Sequence, residues 1–287
     1  HHTDDMHPCY MPDGRIMFTS TRCEYGTLCD GPDKLSTAVL YRIDADGKNM
    51  VKLTNSAVSE FSPAIMHDGR IIYHRWEYVD KGQIGVKCLW AMRPDGSGTA
   101  ELFGNDIALP PVFNHGRPIP GYNNNLFVTL GTPHFPQSGV GTVIRLDINK
   151  PIRTREPMTY ITPDIDIRTE GGFHHRVGDG WERTPYGPLY MDPLPLSDKF
   201  FLVSHNPDKL WNDVRAYGLY LLDEFANHIL IYKDKEFSCW QPTPLRPRKK
   251  PAVVTSMHDN TQNEPATVVL SDVYVGLEGV ERGTIKY

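Results

Sequence analysis

Short apolar runs with period-two alternation recur along the whole chain, and Pro, Gly, Asn and Asp separate them. IMFTST (16–21), IIYHRW (71–76), LFVTLG (126–131) and FFLVSH (200–205) form one set; VLYRID (39–44), LWAM (89–92), TVIRLD (142–147) and GLYLLD (218–223) form a second. Runs this short, rich in β-branched and aromatic residues, predict strands with one buried face. Asp-Gly turns follow, as in DADGKN (44–49) and RPDGSG (93–98), and outer runs such as VKLT (51–54) and HILIYK (228–233) complete each unit. Asp-Gly between alternating runs is a strong hairpin signal, because both turn positions tolerate positive φ. The alternation and the density of Pro and Gly exclude a helical solenoid.

The units repeat. DDMHPCYMPDGRIMFTS, SEFSPAIMHDGRIIYHR, FNHGRPIPGYNNNLFVT and LYMDPLPLSDKFFLVS each place a proline (Pro8, Pro63, Pro118, Pro193) shortly before a turn and a strand, at spacings of 55, 55 and 75. Four antiparallel strands per repeat of about 40 to 55 residues is the pattern of a propeller blade. The expectation is an all-β propeller filling residues 1–240, with blades near 5–55, 60–105, 112–163 and 189–235. Four blades lie within the chain. Residues 1–4 offer no strand to close a four-bladed ring, which favours a larger propeller and a chain that is a segment of a longer protein. Residues 151–189 break the repeat and read as an irregular insertion of the kind that is functional or disordered. Residues 241–287 read as a Pro-rich connector (QPTPLRPRKKP, 241–251) and the start of a following β segment.

Composition narrows the function classes. Gly and Pro number 24 each, with 14 Tyr, 11 Phe and 5 Trp, a turn-rich and aromatic β composition. A net charge of −5 gives no broad reason to bind nucleic acid. No stretch approaches the ~18 consecutive apolar residues of a membrane span. No Gly-rich phosphate loop or nucleophile elbow is present, so nucleotide and serine-hydrolase chemistry lack support.

PDGRIMFTSTR (12–22), LYRIDADGKN (40–49), HDGRIIYHRWEYVD (67–80), LWAMRPDGSG (89–98), RPIPG (117–121), DPLPLSDKFFLV (192–203), QPTPLRPR (241–248) and the terminal VYVGLEGVERGTIKY fall in a telling order. The chain resembles the TolB-like propeller proteins related to the hydrazine synthase alpha subunit. That resemblance implies a six-bladed propeller when intact, and an exported bacterial protein, periplasmic or extracellular. It also implies a place in a redox assembly with other domains or subunits, with c-type haem carried outside this chain. Covalent haem needs Cys-x-x-Cys-His, which the five cysteines do not supply. Relatives carry a histidine-rich run where this chain has LGTPHFPQSGVG (130–141), leaving His134, and His-His-Leu-Trp where this chain has Lys87-Cys88-Leu89-Trp90. In an exported protein the CEYGTLC loop implies a Cys23–Cys29 disulfide. A zinc knuckle would need two more ligands.

In a propeller the innermost strands line the axis, so the residues just before the repeat prolines (His7, Ser62, Arg117, Asp192) are candidates for an axial binding site. A second set, Arg22, Arg75, Glu77, His134 and His205, lies at the ends of the second strands and could rim a common mouth. Alternation puts Arg75 and Glu77 on one side and Trp76 on the other, which also suits a structural Arg–Glu pair between blades. His174 and His175 point apart on an extended backbone and read as part of an exposed or locally packed loop. PDIDIR (163–168) lacks the Gly and Glu of a calcium loop. No catalytic residue and no metal site is singled out. The functional expectation is a scaffold or docking module of a redox protein; the alternative is a non-redox propeller that binds a small ligand, peptide or glycan at its axial mouth.

Overall fold

The computed structural model describes residues 2–27, 36–77, 86–122, 124–135, 139–257 and 270–286, and among these it contains strands and no helix. Blade 1 pairs β1 (Asp5–Tyr10), β2 (Ile16–Ser20), β3 (Val39–Ile43) and β4 (Val51–Lys52) in chain order. Blade 2 contains β5 (Glu60–Ile65), β6 (Ile71–Trp76), β7 (Lys87–Met92) and β8 (Ala100–Phe103). Blade 3 contains β9 (Val112–Pro118), β10 (Leu126–Thr132), β11 (Thr142–Asp147) and β12 (Met158–Tyr160). A separate sheet follows, β13 (Ile165–Asp166), β14 (Phe173–Val177) and β15 (Gly180–Thr184). Blade 4 contains β16 (Leu189–Pro195), β17 (Phe200–Asn206), β18 (Gly218–Asp223) and β19 (His228–Tyr232). Pairing within the blades is antiparallel; one parallel contact, Lys87 with Val112, links blade 2 to blade 3.

The Asp-Gly turns close as their chemistry dictates. Asp13, Asp46 and Asp68 each accept the N–H two residues ahead at 3.0 Å, and Asp95 does so at 2.9 Å. These Asx turns leave the following glycine at positive φ. The apolar faces then stack blade on blade. Met17, Leu40, Ile71 and Tyr73 seal blade 1 to blade 2. Ile72, Leu89, Phe103, Phe113 and Ile144 seal blade 2 to blade 3, and Val128, Leu130, Tyr190, Phe201 and Val203 seal blade 3 to blade 4. Each fully buried side chain of this size contributes roughly 1.5–3 kcal/mol, so interblade packing is the main source of stability.

The insertion at 151–189 is ordered, unlike the irregular segment expected from its sequence. It supplies the edge strand of blade 3 and then the β13–β15 sheet, anchored by Ile167 and Phe173 against Leu189, Ala216 and Tyr217. Its strands are two to five residues long, too short to show a period. His174 and His175 are both buried on β14.

By contact the chain divides into His1–Ser256 and Met257–Tyr287. Within the first unit, the segment after blade 4 runs back to blade 2. Ser256 Oγ donates to Asp95 Oδ2 at 3.0 Å, and a Cβ on Gly69 would lie 2.0 Å from the Ala252 carbonyl oxygen. In the second unit, residues 270–286 form turns tied by the Tyr274 hydroxyl, which accepts the N–H groups of Gly283 at 2.7 Å and Ile285 at 2.9 Å. No helix of the described residues is long and apolar enough to cross a membrane.

The equivalent turns separate backbone strain from close approach. A Cβ on Gly14 or Gly47 would meet nothing within 4 Å, whereas one on Gly96 would lie 2.4 Å from the Leu53 carbonyl oxygen. Gly14→Ala and Gly47→Ala are expected to cost about 1–2 kcal/mol from positive φ alone. Gly69→Ala and Gly96→Ala should cost roughly 1–3 kcal/mol more, because backbone must shift. Urea denaturation of the four variants gives the comparison; equal losses would contradict the close packing of these turns.

Candidate functional site

All four inner strands carry the same irregularity. Register slips between Met6 and Cys9 in β1, and between Phe61 and Ala64 in β5. It slips opposite Val128–Leu130 in β9, and between Met191 and Leu194 in β16. Each slip is a β-bulge, and its first residue adopts the left-handed conformation: His7 (φ 52°), Ser62 (51°), His115 (52°) and Asp192 (47°). Pro8, Pro63, Gly116 and Pro193 follow them. Gln241, followed by Pro242, has the same φ of 51°, and its N–H donates to Asp192 Oδ2 at 3.1 Å. A fifth copy of the motif therefore lies in the segment read from sequence as a polyproline-like connector. A left-handed non-glycine residue costs on the order of 1–3 kcal/mol, and such residues cluster at functional sites.

The bulges bring side chains from different blades together. His115 Nε2 lies 3.2 Å from Asp192 Oδ1, with both side chains under a tenth exposed. The His7 ring meets His115 edge-on at 5.9 Å and Phe61 at 6.4 Å. Phe61 in turn lies 5.2 Å from His74. Arg117 spans two inner strands, with Nη1 donating to the carbonyls of Ser62 at 3.2 Å and Gly116 at 2.9 Å. A cavity of about 230 Å³ opens among these groups, bounded by His7, Phe61, Ser62, His74, Lys87 and Asn114. Three polar atoms in its walls, His7 Nδ1, Ser62 Oγ and His74 Nδ1, are buried without a hydrogen-bond partner.

Burial sets the protonation states, and neighbouring charge adjusts them. Desolvation, reinforced by Arg117, lowers His7 to about 4. Burial followed by Lys87, His7 and Arg117 takes His74 well below its usual range, against a hydrogen bond to Asn114. Burial, then Arg117, His7 and His74, does the same to His115. Burial raises Asp192, opposed by the Gln241 N–H and by Arg117. Cys9, beside Arg117 in charge terms, is pushed up to about 11 by burial, so it is a thiol at neutral pH.

Of the axial candidates, His7, Ser62 and Asp192 occupy the bulge positions, while Arg117 lies two residues beyond its blade's bulge as a half-buried cation. The rim candidates stay apart in local contacts. Arg22 pairs with Asp5 through Nε at 3.0 Å and Nη2 at 2.6 Å. Arg75 Nε lies 3.2 Å from Glu77 Oε1 without hydrogen-bond alignment, and its guanidinium sits 5.0 Å from the Trp90 ring. Glu60, paired opposite Arg75, is buried against Thr54 Oγ1 and lifted to about 7 by burial. His134 packs on Trp76 at 5.5 Å, so Trp76 bridges blades 2 and 3. His205 is fully buried, stacked on Tyr190 at 4.3 Å with Nδ1 bonded to the Leu189 carbonyl at 3.0 Å. Among the described residues, Cys9, Cys23, Cys88 and Cys239 are in no disulfide. Cys23, expected in a disulfide, instead donates its thiol to the Thr37 carbonyl at 3.2 Å, and its expected partner Cys29 lies outside the described residues.

His115, His74, Asn114, Lys87 and Gln241 were not singled out from sequence. His115 was missed because the repeats were aligned on proline, and blade 3 has Gly116 in that slot. Aligning His-Gly with His-Pro, Ser-Pro, Asp-Pro and Gln-Pro would have found both His115 and Gln241.

No family model and no curated protein matches the chain. Among solved structures, the chain is similar to hydrazine synthase of Kuenenia stuttgartiensis, with 19% identity and a TM-score of 0.63 over 85% of this chain and 31% of that one. TolB from Acinetobacter baumannii has 13% identity and a TM-score of 0.46, over 82% of this chain and 45% of that one. Oligogalacturonate lyase from Vibrio parahaemolyticus has 14% identity and a TM-score of 0.40, over 79% and 52%. The chain spans less than a third of the hydrazine synthase chain. The likeness to that structure agrees with the strand order in assigning a β-propeller fold. This chain has no Cys-x-x-Cys-His, so its residues do not fit a covalently attached haem.

Stability should rise with pH across the titration of these imidazoles. His7, His134 and His205 fall to about 4 when folded, from 6.5. Burial is the first cause in each; Arg117 adds to it at His7 and Lys87 at His134. Between about 4 and 6.5 the unfolded chain binds more protons, so each contributes stability that is present above 6.5 and lost as pH falls towards 4. Glu60 works in the opposite direction between 4.5 and 7, as does the raised Asp192, but the lowered imidazoles outnumber them. The urea midpoint is expected to be lower at pH 4.5 than at pH 6.5; a higher midpoint at pH 4.5 would contradict neutral buried histidines.

Proposed function

We propose that this chain is a propeller module that binds a small polar ligand at its axial mouth, within a larger exported protein. The observation that carries this reading is the set of left-handed residues at one register, His7, Ser62, His115 and Asp192, beside a cavity whose walls hold unpaired buried polar atoms. Strain repeated at one register across four blades favours a role at the axis over chance. Neutral imidazoles, a hydroxyl and an amide are hydrogen-bonding groups suited to recognition.

Ligand-observed NMR with a library of small polar fragments is expected to yield binders that shift the His7 and His74 imidazole resonances. His74→Phe keeps an aromatic ring against Phe61 and removes Nδ1, so it should weaken those binders by about tenfold while the fold is retained. A library that leaves both resonances unmoved would overturn the axial reading.

A second reading, a scaffold or docking module of a hydrazine-synthase-like redox protein, is supported by the coverage of 31% of that chain at a TM-score of 0.63. It also accounts for β19, whose five residues are all exposed, Ile229 at 67% and Ile231 at 56%. Haem would then reside elsewhere in the full-length protein, in the periplasm or outside the cell. The full-length protein is expected to show a Soret band; a purified full-length protein without one would remove the redox part of this reading.

A further inference from the structure

The blades meet unevenly at their turn ends. Between blades 1 and 2 the space is shut: a Cβ on Gly96 would lie 2.4 Å from the Leu53 carbonyl oxygen, and Arg42 Nη1 donates to the Pro94 carbonyl at 3.2 Å. Between blades 2 and 3, His67 Nε2 lies 2.9 Å from the Ile119 carbonyl oxygen, and the His67 N–H donates to Asn124 Oδ1 at 2.8 Å. Arg145 stands in blade 3 where Arg42 stands in blade 1, in IRLD (144–147) against YRID (41–44). Its Nη1 crosses to blade 4, donating to the Asp198 carbonyl at 3.1 Å and to Glu224 Oε2 at 3.4 Å. Here the space stays open as a groove of about 470 Å³, bounded by Tyr122, Asn125, Arg145, Asp147, Lys150 and Asp198. Among the described residues, Leu126 is the one aliphatic side chain in its wall.

Its acids are only half engaged. Asp147 Oδ1 accepts the N–H of Asn149 at 3.1 Å and its Nδ2 at 2.9 Å, and Asp198 Oδ2 accepts the Tyr122 hydroxyl at 2.8 Å. Each carboxylate keeps a second oxygen that accepts no hydrogen bond among the described residues. Tyr122 is 43% exposed with its hydroxyl fixed, so its ring forms an apolar wall held in place. We propose that this groove binds a neutral sugar, whose hydroxyls donate to the open oxygens of Asp147 and Asp198 while its C–H face rests on Tyr122. The site is separate from the axial cavity and does not depend on the axial-mouth reading. An anion would be set against Asp147 and Asp198, and a cation against Arg145 and Lys150. An apolar ligand would dry the carboxylates without pairing them. A sugar hydroxyl instead donates to a carboxylate, in a bond about twice as strong as one between neutral groups, and still accepts from an ammonium or amide. The volume falls within the roughly 300–1,000 Å³ of small-molecule sites.

The test is an NMR titration of the chain that follows the Tyr122 ring resonances. The probes are glucose, galactose, mannose and maltose, with glucuronate, glucosamine and glycine as charged counterparts, at about pH 6 so that the amines are protonated. At least one neutral sugar is expected to shift Tyr122 saturably, and the charged probes to bind about tenfold more weakly than it. Asp147→Asn and Asp198→Asn keep an oxygen for the Asn149 and Tyr122 contacts and replace the other with an amide that cannot accept. Each should weaken the sugar about tenfold, while Asp46→Asn in the matching turn of blade 1 should leave its affinity unchanged. Thermal melts of the variants separate lost binding from unfolding. A Tyr122 unmoved by all four sugars, a charged probe that binds as tightly as the best of them, or full affinity in both folded Asp variants would overturn the sugar site. A sugar that shifts His7 and His74 but not Tyr122 would overturn it too, by placing the sugar at the axis. Because the two sites are read on different side chains, a silent Tyr122 leaves the axial reading standing.

Discussion

Each inner strand of this propeller contains one residue more than its partner can pair with, and the surplus residue resolves the mismatch by turning left-handed. An ordinary antiparallel pair would send successive side chains to the two faces of the blade, into the interblade cores. The bulge interrupts that alternation and gives His7, Ser62, His115 and Asp192 a direction of their own. The strain is carried by the surrounding sheets, whose hydrogen bonds and stacked apolar faces leave the inner strands little room to relax. The axial cluster is therefore a product of backbone geometry first and of side-chain chemistry second.

The half-buried Arg117 organises what the bulges assemble. Its guanidinium is dehydrated by the inner strands and compensated by two backbone carbonyls and, at longer range, by Asp192. A fixed positive charge in that position disfavours further protonation nearby. That repulsion adds to desolvation at His7, His74 and His115. The histidines consequently serve as neutral donors and acceptors. The His115–Asp192 contact accordingly sets a neutral imidazole against the Asp192 side chain and joins blade 3 to blade 4.

The blades were legible in the sequence because each strand buries one face, and period-two alternation records that directly. The strand starts fall within a few residues of the expected repeats, and the Asp-Gly turns lie where the dipeptide placed them. The axis was less legible. A bulge leaves no hydrophobic signature, and a left-handed residue can be His, Ser, Asp or Gln, so the motif lacks a fixed letter. Proline was a usable proxy in three blades and misdirected the reading in blade 3, where Gly116 replaces it. The β13–β15 sheet was hidden for another reason: its strands are too short for any period, and its stability comes from contacts with Leu189 and Tyr217, far along the chain.

The left-handed register also limits how the axis can change over evolutionary time. The apolar faces that stack blade on blade contain none of the bulge residues, so a substitution there changes the polar cluster and leaves those faces as they are. The available alphabet is nevertheless narrow. Gly takes positive φ freely, Asn, Asp and His take it more readily than most residues, and Val, Ile and Thr are true outliers there. Those tolerated residues are mostly small polar or ionisable groups. The backbone thus acts as a filter that keeps apolar branched residues off the bulge positions, and a propeller built this way drifts among polar side chains there.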